Sequence, residues 1–327
     1  MNFTSIPDHF APIGGGLVYE IQTEDGADAY VDVAVVNAAT RQRAALCRFA
    51  RTDRVRIDIA PYVRRMFAAA PAAGHTELFN NDGRVVRVVV EVNGEASPER
   101  RYTLFELDGV PRILSTMPFR RTLAFGECDE LPFTAPTGGH VTVVAEDGGG
   151  VQTERLNLRV PVSLEPAVWV LRVAADDFDA DTARLRVTVS TGAGRHEEVV
   201  YDMVTRPQGA CRVAWLSAAG AVEHYTFPSR RRSTLAVERS RFCGEEGYTT
   251  VDIRAERSVL LVSDFETEAM AESLEEIVAS PAVWIARSGV SAAVDVLSSE
   301  SVRNHNGVPA SVCVEVRSRN HHQTDLL

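Results

Sequence analysis

The chain has 327 residues, of which 45% are hydrophobic and 24% charged, and its 34 basic residues face 45 acidic ones for a net charge of −11. This acidic balance disfavours nucleic-acid binding, because the protein and a phosphate backbone would repel each other. Every basic residue is arginine, which excludes lysine Schiff-base chemistry and the phosphate-binding lysine of a P-loop.

The cysteines and the apolar runs favour a cytoplasmic protein. The five cysteines are scattered and form no C-x-x-C pair, so neither a zinc site nor a disulfide framework is predicted. No apolar run approaches the ~18 residues needed to span a bilayer. The first residues also lack the basic and apolar regions of a secretory signal. We therefore expect no membrane insertion.

Strand patterns dominate the chain from its N-terminal part onward. Short runs rich in Val, Ile, Leu and Thr alternate with Gly, Asp, Asn or Pro, which is typical of strands joined by turns. In the run 183–190, Leu185, Val187 and Val189 fall on one face and polar residues on the other, as in a half-buried antiparallel strand. The strongest runs are 29–37, 54–60, 84–93, 140–146, 155–164, 168–175 and 183–190.

Two segments have the pattern of a helix. The segment 60–71 predicts one or two helical turns between prolines. The segment 267–279 predicts the one substantial helix, because it has a single apolar face. Thr267 is a suitable N-cap for this helix, and Pro281 prevents its continuation. The apolar face consists of Met270, Leu274, Ile277 and Val278.

These elements predict a mainly β chain with two or three antiparallel β-sandwich-like domains and one substantial helix near the C-terminal third. Turn-rich or charged stretches suggest the boundaries. We expect an N-terminal β domain at 1–127, a central β-sandwich domain at 138–228 and a C-terminal β domain at 233–327. The arginine run at 230–232 is interpreted as a solvated link or as a source of ion pairs between subunits.

A search for reactive groups predicts no catalytic residue and no cofactor. The chain lacks G-x-S-x-G, H-E-x-x-H and a nucleotide-binding glycine loop, so we expect no enzyme. The weak metal candidates are Asp177, Asp179 and Asp181, whose spacing resembles a calcium loop. Thr182 and Thr188 occupy the positions where an EF-hand requires Gly and Glu, which favours an acidic turn instead.

The segment 213–227, VAWLSAAGAVEHYTF, predicts a hairpin around Gly220. Alternation allows Trp215 to pair with aromatic residues of the returning strand. His224 is interpreted as a hydrogen-bonded strand residue rather than as a general base. No acid or base is spaced to form a site with it, so the hairpin is predicted to belong to a core or an interface. The expected packing or interface residues are Trp169, Trp215, Tyr225, Phe227 and Trp284.

Three parts of the chain resemble tail-associated structural proteins of tailed phages and prophages of Bacteroidetes-type bacteria. The first is the strand at 29–37 followed by RVRIDIAPYVRRMF at 54–67. The second is the Trp-Leu, glycine turn and Tyr-Thr-Phe of 215–227. The third is EEIVASPAVWIA at 275–286 with the closing strand and polar tail of 292–324.

The resemblance implies β-sandwich domains assembled as a homo-oligomeric ring or fibre collar. The chain would then be a virion component of the tail or baseplate, assembled in the cytoplasm of the bacterial host, with other tail proteins as partners. It implies no enzymatic residues.

Two alternatives remain open from the residues alone. A carbohydrate-binding or adhesin-like β-sandwich protein would use Trp169 or Trp284 as a solvent-accessible platform for a sugar. A metal-dependent β-sandwich hydrolase would need convergent carboxylates and a metal in the segment 176–181.

Overall fold

The computed structural model describes residues 2–23, 30–50, 52–67, 70–80, 84–105, 112–134, 139–161, 167–190, 194–245, 247–287, 290–301 and 311–319. The described chain is mainly β, with several antiparallel sheets and one substantial helix, which confirms the predicted fold class. Its sheets are grouped around three separate apolar cores, and we name the groups the first, second and third unit in chain order.

The first unit is a sandwich of two sheets. Its elements, numbered along the chain, are β1 (Asn2–Ser5), β2 (Ala11–Pro12), β3 (Val18–Gln22), β4 (Tyr30–Asn37), β5 (Arg43–Ala50), β6 (Arg54–Asp58), α1 (Ala60–Arg64), β8 (Val85–Val92), β9 (Glu95–Ala96) and β10 (Arg100–Thr103). One sheet has the order β1-β3-β6, and the other has the order β2-β10-β8-β4-β5 with β9 beside β8.

Alternating residues of both sheets fill the core of the first unit. On β8, Val86, Val88 and Val90 are buried, as the period of two along a strand predicts. The hydroxyl groups of Tyr19 on β3 and Tyr102 on β10 lie 2.7 Å apart within this core. Burial raises the pKa of both tyrosines, so both hydroxyls are neutral near neutral pH.

The second unit is also a sandwich. Its strands are β7 (Glu77–Asn80), β11 (Arg112–Ile113), β12 (Arg120–Ala124), β13 (Cys128–Thr134), β14 (His140–Asp147), β15 (Gln152–Arg159), β16 (Val168–Ala174), β17 (Thr182–Ser190) and β18 (His196–Val204). The sheet β11-β13-β16-β7 faces the sheet β12-β18-β17-β14-β15. Leu185, Val187 and Val189 on β17 are fully buried, on the face that their alternation predicted.

The third unit is a single sheet covered by a helix. Its elements are β19 (Cys211–Leu216), β20 (Val222–Phe227), β21 (Ser229–Gly244), β22 (Gly247–Val262), α2 (Glu268–Ala279), β23 (Val283–Arg287), β24 (Val290–Val296) and β25 (Cys313–Ser318). The strand order is β20-β19-β23-β24-β25-β22-β21.

Helix α2 lies where the sequence predicted it and buries Met270, Leu274 and Ile277 of the predicted face, while Val278 is half-buried. The Thr267 hydroxyl accepts a hydrogen bond from the backbone N–H of Met270 at 3.3 Å, which caps the first turn. Leu274 and Ile277 are fully buried against the sheet.

No helix in the described part of the chain is long and apolar enough to cross a membrane.

The hydrogen-bonded sheets of the second unit begin earlier in the chain than the expected domain of 138–228. Strand β7, at 77–80, pairs with β16, and strand β12, at 120–124, pairs in parallel with β18. Strand β13 spans 128–134, within the stretch that the sequence suggested as a linker. The run at 230–232, also interpreted as a link, lies inside strand β21.

Gly220, in the turn between β19 and β20, lies against the first unit. Its φ is +74°, a left-handed conformation that favours glycine, and a Cβ there would lie 2.5 Å from Leu104 Cδ1. We expect Gly220→Ala to lower the free energy of unfolding by about 1–3 kcal/mol. Urea denaturation measures this change. Gly94→Ala isolates the effect of φ alone, since Gly94 has φ +92° and open space around it; equal losses in both variants would contradict a role for the Leu104 contact.

Candidate functional site

The hairpin predicted at 213–227 is formed by β19 and β20 and belongs to the core of the third unit. Trp215 and Phe227 are fully buried and Tyr225 nearly so, beneath helix α2. The residue directly opposite Trp215 is Glu223 rather than an aromatic residue, and Val213 lies opposite Tyr225. Aromatic contact occurs instead along β20, where the rings of Tyr225 and Phe227 meet edge to face at 5.0 Å.

The other two predicted packing residues are half-buried. Trp169 on β16 packs against the core of the second unit. Trp284 lies on β23, opposite Ala214 of β19. Neither ring is among the exposed large hydrophobic side chains of the described residues, although a sugar platform requires an open aromatic face.

The three aspartates considered as metal ligands bind different partners. The Asp177 carboxylate accepts hydrogen bonds from the Thr76 backbone N–H and from Nδ1 of His75, the latter at 2.8 Å. Asp179 pairs with Arg155. The backbone carbonyl of Asp181 accepts from Gly148 N–H at 3.3 Å. Within the described ranges, no group of three or more His, Cys, Asp or Glu side chains could hold a metal ion.

A cluster of buried charges joins the second and third units, and no pattern in the sequence predicted it. Arg121 of β12 lies at its centre, with Nη1 3.4 Å from Asp129 Oδ2 and 3.3 Å from Glu223 Oε2. Arg212 Nη1 of β19 donates to Glu127 Oε2 at 2.9 Å. All five side chains are almost completely buried, so they are held by one another rather than by solvent.

Arg84, which immediately precedes β8, extends this cluster to the first unit by pairing with Glu130, the residue after Asp129. Its guanidinium lies 3.9 Å from the Glu130 carboxylate of the second unit, and it donates to the carbonyl of Gly220 in the third unit. The Arg84 side chain is 1% exposed. One arginine therefore contacts all three units at their junction.

Burial and neighbouring charges move the pKa values of this cluster in different directions. Burial raises the pKa values of Glu223 and Glu130, because it disfavours the charged form. Burial acts in the same direction on Asp129, but Arg121 and other neighbours outweigh it, so the pKa of Asp129 is lowered. Asp129 also accepts from the Tyr201 hydroxyl at 2.8 Å.

His224 lies on β20 beside this cluster, and its environment differs from the prediction. It is a strand residue as expected, but neither ring nitrogen has a hydrogen-bond partner among the described residues. Burial, then the positive charge of Arg212, lowers the pKa of His224 to about 3. The imidazole is therefore neutral near pH 7.

Strands β21 and β22 form a long hairpin whose residues are mostly exposed. In their central and distal parts the two strands pair only with each other among the described strands, since β25 contacts β22 only at 258–262. We name the segment 234–257 the arm. At about 3.4 Å per residue, each of its strands extends roughly 35 Å from the sheet.

The arm has two chemically different faces. Directly opposite residues share a face, so Leu235, Val237, Arg239, Ile253, Ala255 and Arg257 form one face without an acidic residue, which we name the cationic face. The other face, named the mixed-charge face, carries Ala236, Glu238, Ser240, Asp252, Arg254 and Glu256.

Exposed apolar side chains are concentrated on the arm. Of the twelve exposed large hydrophobic side chains in the described residues, five lie on it, so the arm is the main apolar surface in this part of the chain. They are Leu235, Phe242, Tyr248, Val251 and Ile253. The segment 234–257 was not among the predicted strands, and alternation alone would not tell whether its apolar face is covered.

Comparisons with known proteins leave the family open. No family model matches the chain, and no curated protein matches it. Matches to solved structures include 142 chains. One of them, "Crystal structure of Dpr2 Ig1-Ig2 in complex with DIP-Theta Ig1-Ig3", is 10% identical, covers 62% of this chain and 98% of its own, and has a TM-score of 0.20. Values this low establish neither a shared fold nor a shared function.

Proposed function

We propose that this chain is a structural protein of a phage or prophage tail or baseplate, and that it acts by self-assembly through the arm. The observation that supports the proposal is the exposure of the cationic face. Leu235 and Ile253 on this face are each 57% exposed. Exposed apolar surface of this kind marks protein interfaces, because covering it on association is favourable.

Charge favours a second copy of this chain as the partner of the arm. The segment 229–262 carries seven arginines and five acidic residues, whereas the rest of the chain carries 27 arginines and 40 acidic residues. The cationic face would therefore meet an acidic surface on a neighbouring copy, which steers association and sets its register. The outer edges of the arm also offer backbone groups for strand pairing between subunits.

The buried charged groups are compatible with a structural role in assembly. His224 is neutral, and Arg121 and Arg212 pair with the buried carboxylates of Asp129 and Glu127, an arrangement that a structural role can use to join units. In a tail, the three units would form the body of the subunit and the arm would bind its neighbour. Other tail proteins would be further partners, and the assembled chain would be located in the virion tail.

The test is the solution mass of the protein across a concentration series, measured by light scattering. We expect the wild-type chain to form a discrete oligomer as concentration rises. Ile253→Asp should weaken assembly at least about tenfold, because it replaces an exposed apolar side chain of the cationic face with a carboxylate. The matched control is Ser240→Asp, which adds the same charge to the mixed-charge face and should assemble as the wild type does.

A wild-type chain that stays monomeric at every concentration would contradict self-assembly. Equal weakening by both variants would show that the new charge acts without regard to face, and the cationic face would then not be the interface. Thermal unfolding of both variants, expected to match the wild type because both sites are exposed, shows that any change in mass reflects association.

A further inference from the structure

A cavity of about 40 Å³ lies between the second and third units, apart from the arm. Glu127 and Cys128 line it from the second unit, and Arg212 and His224 from the third. The loop at 71–73 contributes to its wall. A cavity of this volume has room for about three water-sized groups. Cavities at the junction of two structural units are common places for small ligands to bind.

Unsatisfied polar atoms surround this cavity. His224 is 4% exposed, and both of its ring nitrogens lack a hydrogen-bond partner in the described part of the chain. Arg212 Nε also lacks a hydrogen-bond partner there, and Glu127 Oε1 accepts no hydrogen bond although Arg206 Nε lies 3.5 Å from it. A buried polar atom without a partner destabilises a fold by somewhat more than a typical hydrogen bond stabilises it. His224, Arg212 and Glu127 all line this cavity, so one bound group could contact several of these atoms together.

The charges at the cavity balance one another. Glu127 lies between Arg212, at 2.9 Å, and Arg206, at 3.5 Å, while Arg212 also lies 3.9 Å from Asp129. Two arginines thus face two carboxylates. The remaining lining groups are neutral, since burial holds His224 in its neutral form and raises the pKa of the Cys128 thiol. An ion entering the cavity would lose its hydration without meeting an unpaired opposite charge.

We propose that this cavity binds the primary amide group of a small molecule. One nitrogen of the neutral imidazole can accept, as can Glu127 Oε1, while Arg212 Nε donates. A primary amide has the complementary set, a carbonyl oxygen that accepts and an NH₂ group that donates. Its carbon, oxygen and nitrogen also match the space of about three water-sized groups. A carboxylate could only accept, and an ammonium could only donate.

The test is a titration of the full-length protein with acetamide, followed through the ring nitrogen signals of His224 in a ¹⁵N-labelled sample. Acetamide should produce a saturable shift of these signals. Acetate and N,N-dimethylacetamide, which lack the NH₂ donor, should produce none. The comparison among the three probes uses the wild-type chain, so it does not depend on the folding of any variant.

Two variants extend the test. His224→Leu should bind acetamide at least about tenfold more weakly, as followed through the backbone amide signals of the cavity. Its melting temperature should equal or exceed that of the wild type, because an apolar side chain replaces a buried polar group without partners. His196→Leu, at an exposed position of β18, should bind as the wild type does.

Three results would overturn the proposal. They are the absence of any saturable shift with acetamide, binding of acetate as tight as that of acetamide, and unchanged acetamide affinity in His224→Leu. The first would mean that water alone satisfies the cavity, and the second that the cavity selects anions. None of the three bears on assembly through the arm.

Discussion

Replacing Arg121 with methionine is expected to lower the free energy of unfolding by about 3–5 kcal/mol. The Arg121 side chain is 2% exposed and lies between the carboxylates of Asp129 and Glu223. It also donates to the Pro118 carbonyl at 3.2 Å and to the Ser115 hydroxyl at 3.0 Å. Without the guanidinium, two buried carboxylates lose their central cation, and burial of an unpaired charge is costly.

Urea denaturation at pH 7 measures this loss. Arg120→Met is the matched control, because Arg120 is the neighbouring residue on β12 but pairs with Asp202 at the surface, at 2.7 Å. Exposed ion pairs contribute about 0–1 kcal/mol, so the control should remain close to the wild type. Equal losses at the two positions would show that the buried cluster contributes no more than a surface pair.

The pH dependence of Arg121→Met provides a second measurement. In this variant the pKa values of Asp129 and Glu223 should rise, because burial acts on them without Arg121. A carboxyl group whose folded pKa is raised contributes stability at low pH and loses it as pH rises through that pKa. The difference in free energy of unfolding between the wild type and Arg121→Met should therefore become smaller as the pH falls below 7. A gap that widens on acidification would contradict this explanation.

Trp215→Ala is expected to lower the free energy of unfolding of the third unit by about 3–5 kcal/mol, because it removes the largest fully buried side chain of the described chain. The ring packs between the sheet and helix α2, where the surrounding residues can collapse only in part. Trp284 lies on the neighbouring strand β23 and is half-buried, so Trp284→Ala should lower the free energy of unfolding by less. Urea denaturation followed by circular dichroism compares the two.

The three cores make the Trp215 prediction more specific. Trp215 belongs to the core of the third unit alone. The urea concentration at which that unit unfolds should therefore fall more in Trp215→Ala than that of the other two units. Hydrogen exchange of amides in α2 should accelerate more than that of amides in β3 or β17, which lie in the other two cores. Uniform acceleration in all three units would show that they unfold as one cooperative body.

An element was predicted best where all of its sequence signals lie close together in the chain. Helix α2 has an apolar face, a capping Thr267 and a proline beyond its end, and all three signals lie within fifteen residues of one another. The strands of the sandwiches were similarly predictable, because burial on one face imposes a period of two. These features established the mainly β fold and its substantial helix.

The buried cluster could not be predicted, because its partners lie far apart in the chain. Arg121 and Glu223 are 102 residues apart. Each lies in a strand where a charged residue is expected to face solvent. Only the packing of the second unit on the third buries them together. The unsatisfied state of His224 depends on the same packing, so its sequence neighbours gave a wrong expectation of its hydrogen bonding.

The arm shows a different limit of sequence analysis. Its residues alternate like those of a core strand, and the arginine run at its base resembles a linker. The pairing of β21 with β22 shows that 234–257 is amphipathic, but an alternating pattern alone does not tell whether a second layer covers its apolar face. Whether apolar residues form a core or a surface depends on where the rest of the chain lies.

The pairing of β7 with β16 has a consequence for the order in which the chain folds during synthesis. Strand β7 belongs to the second unit but is synthesised before β8 and β10 of the first unit. The first unit can therefore form while β7 still has no strand to pair with. The partner appears only when residues 168–174 have been made. Until then β7 is an unpaired strand on a nascent chain, and a polypeptide that stops before β16 leaves it open to non-native association.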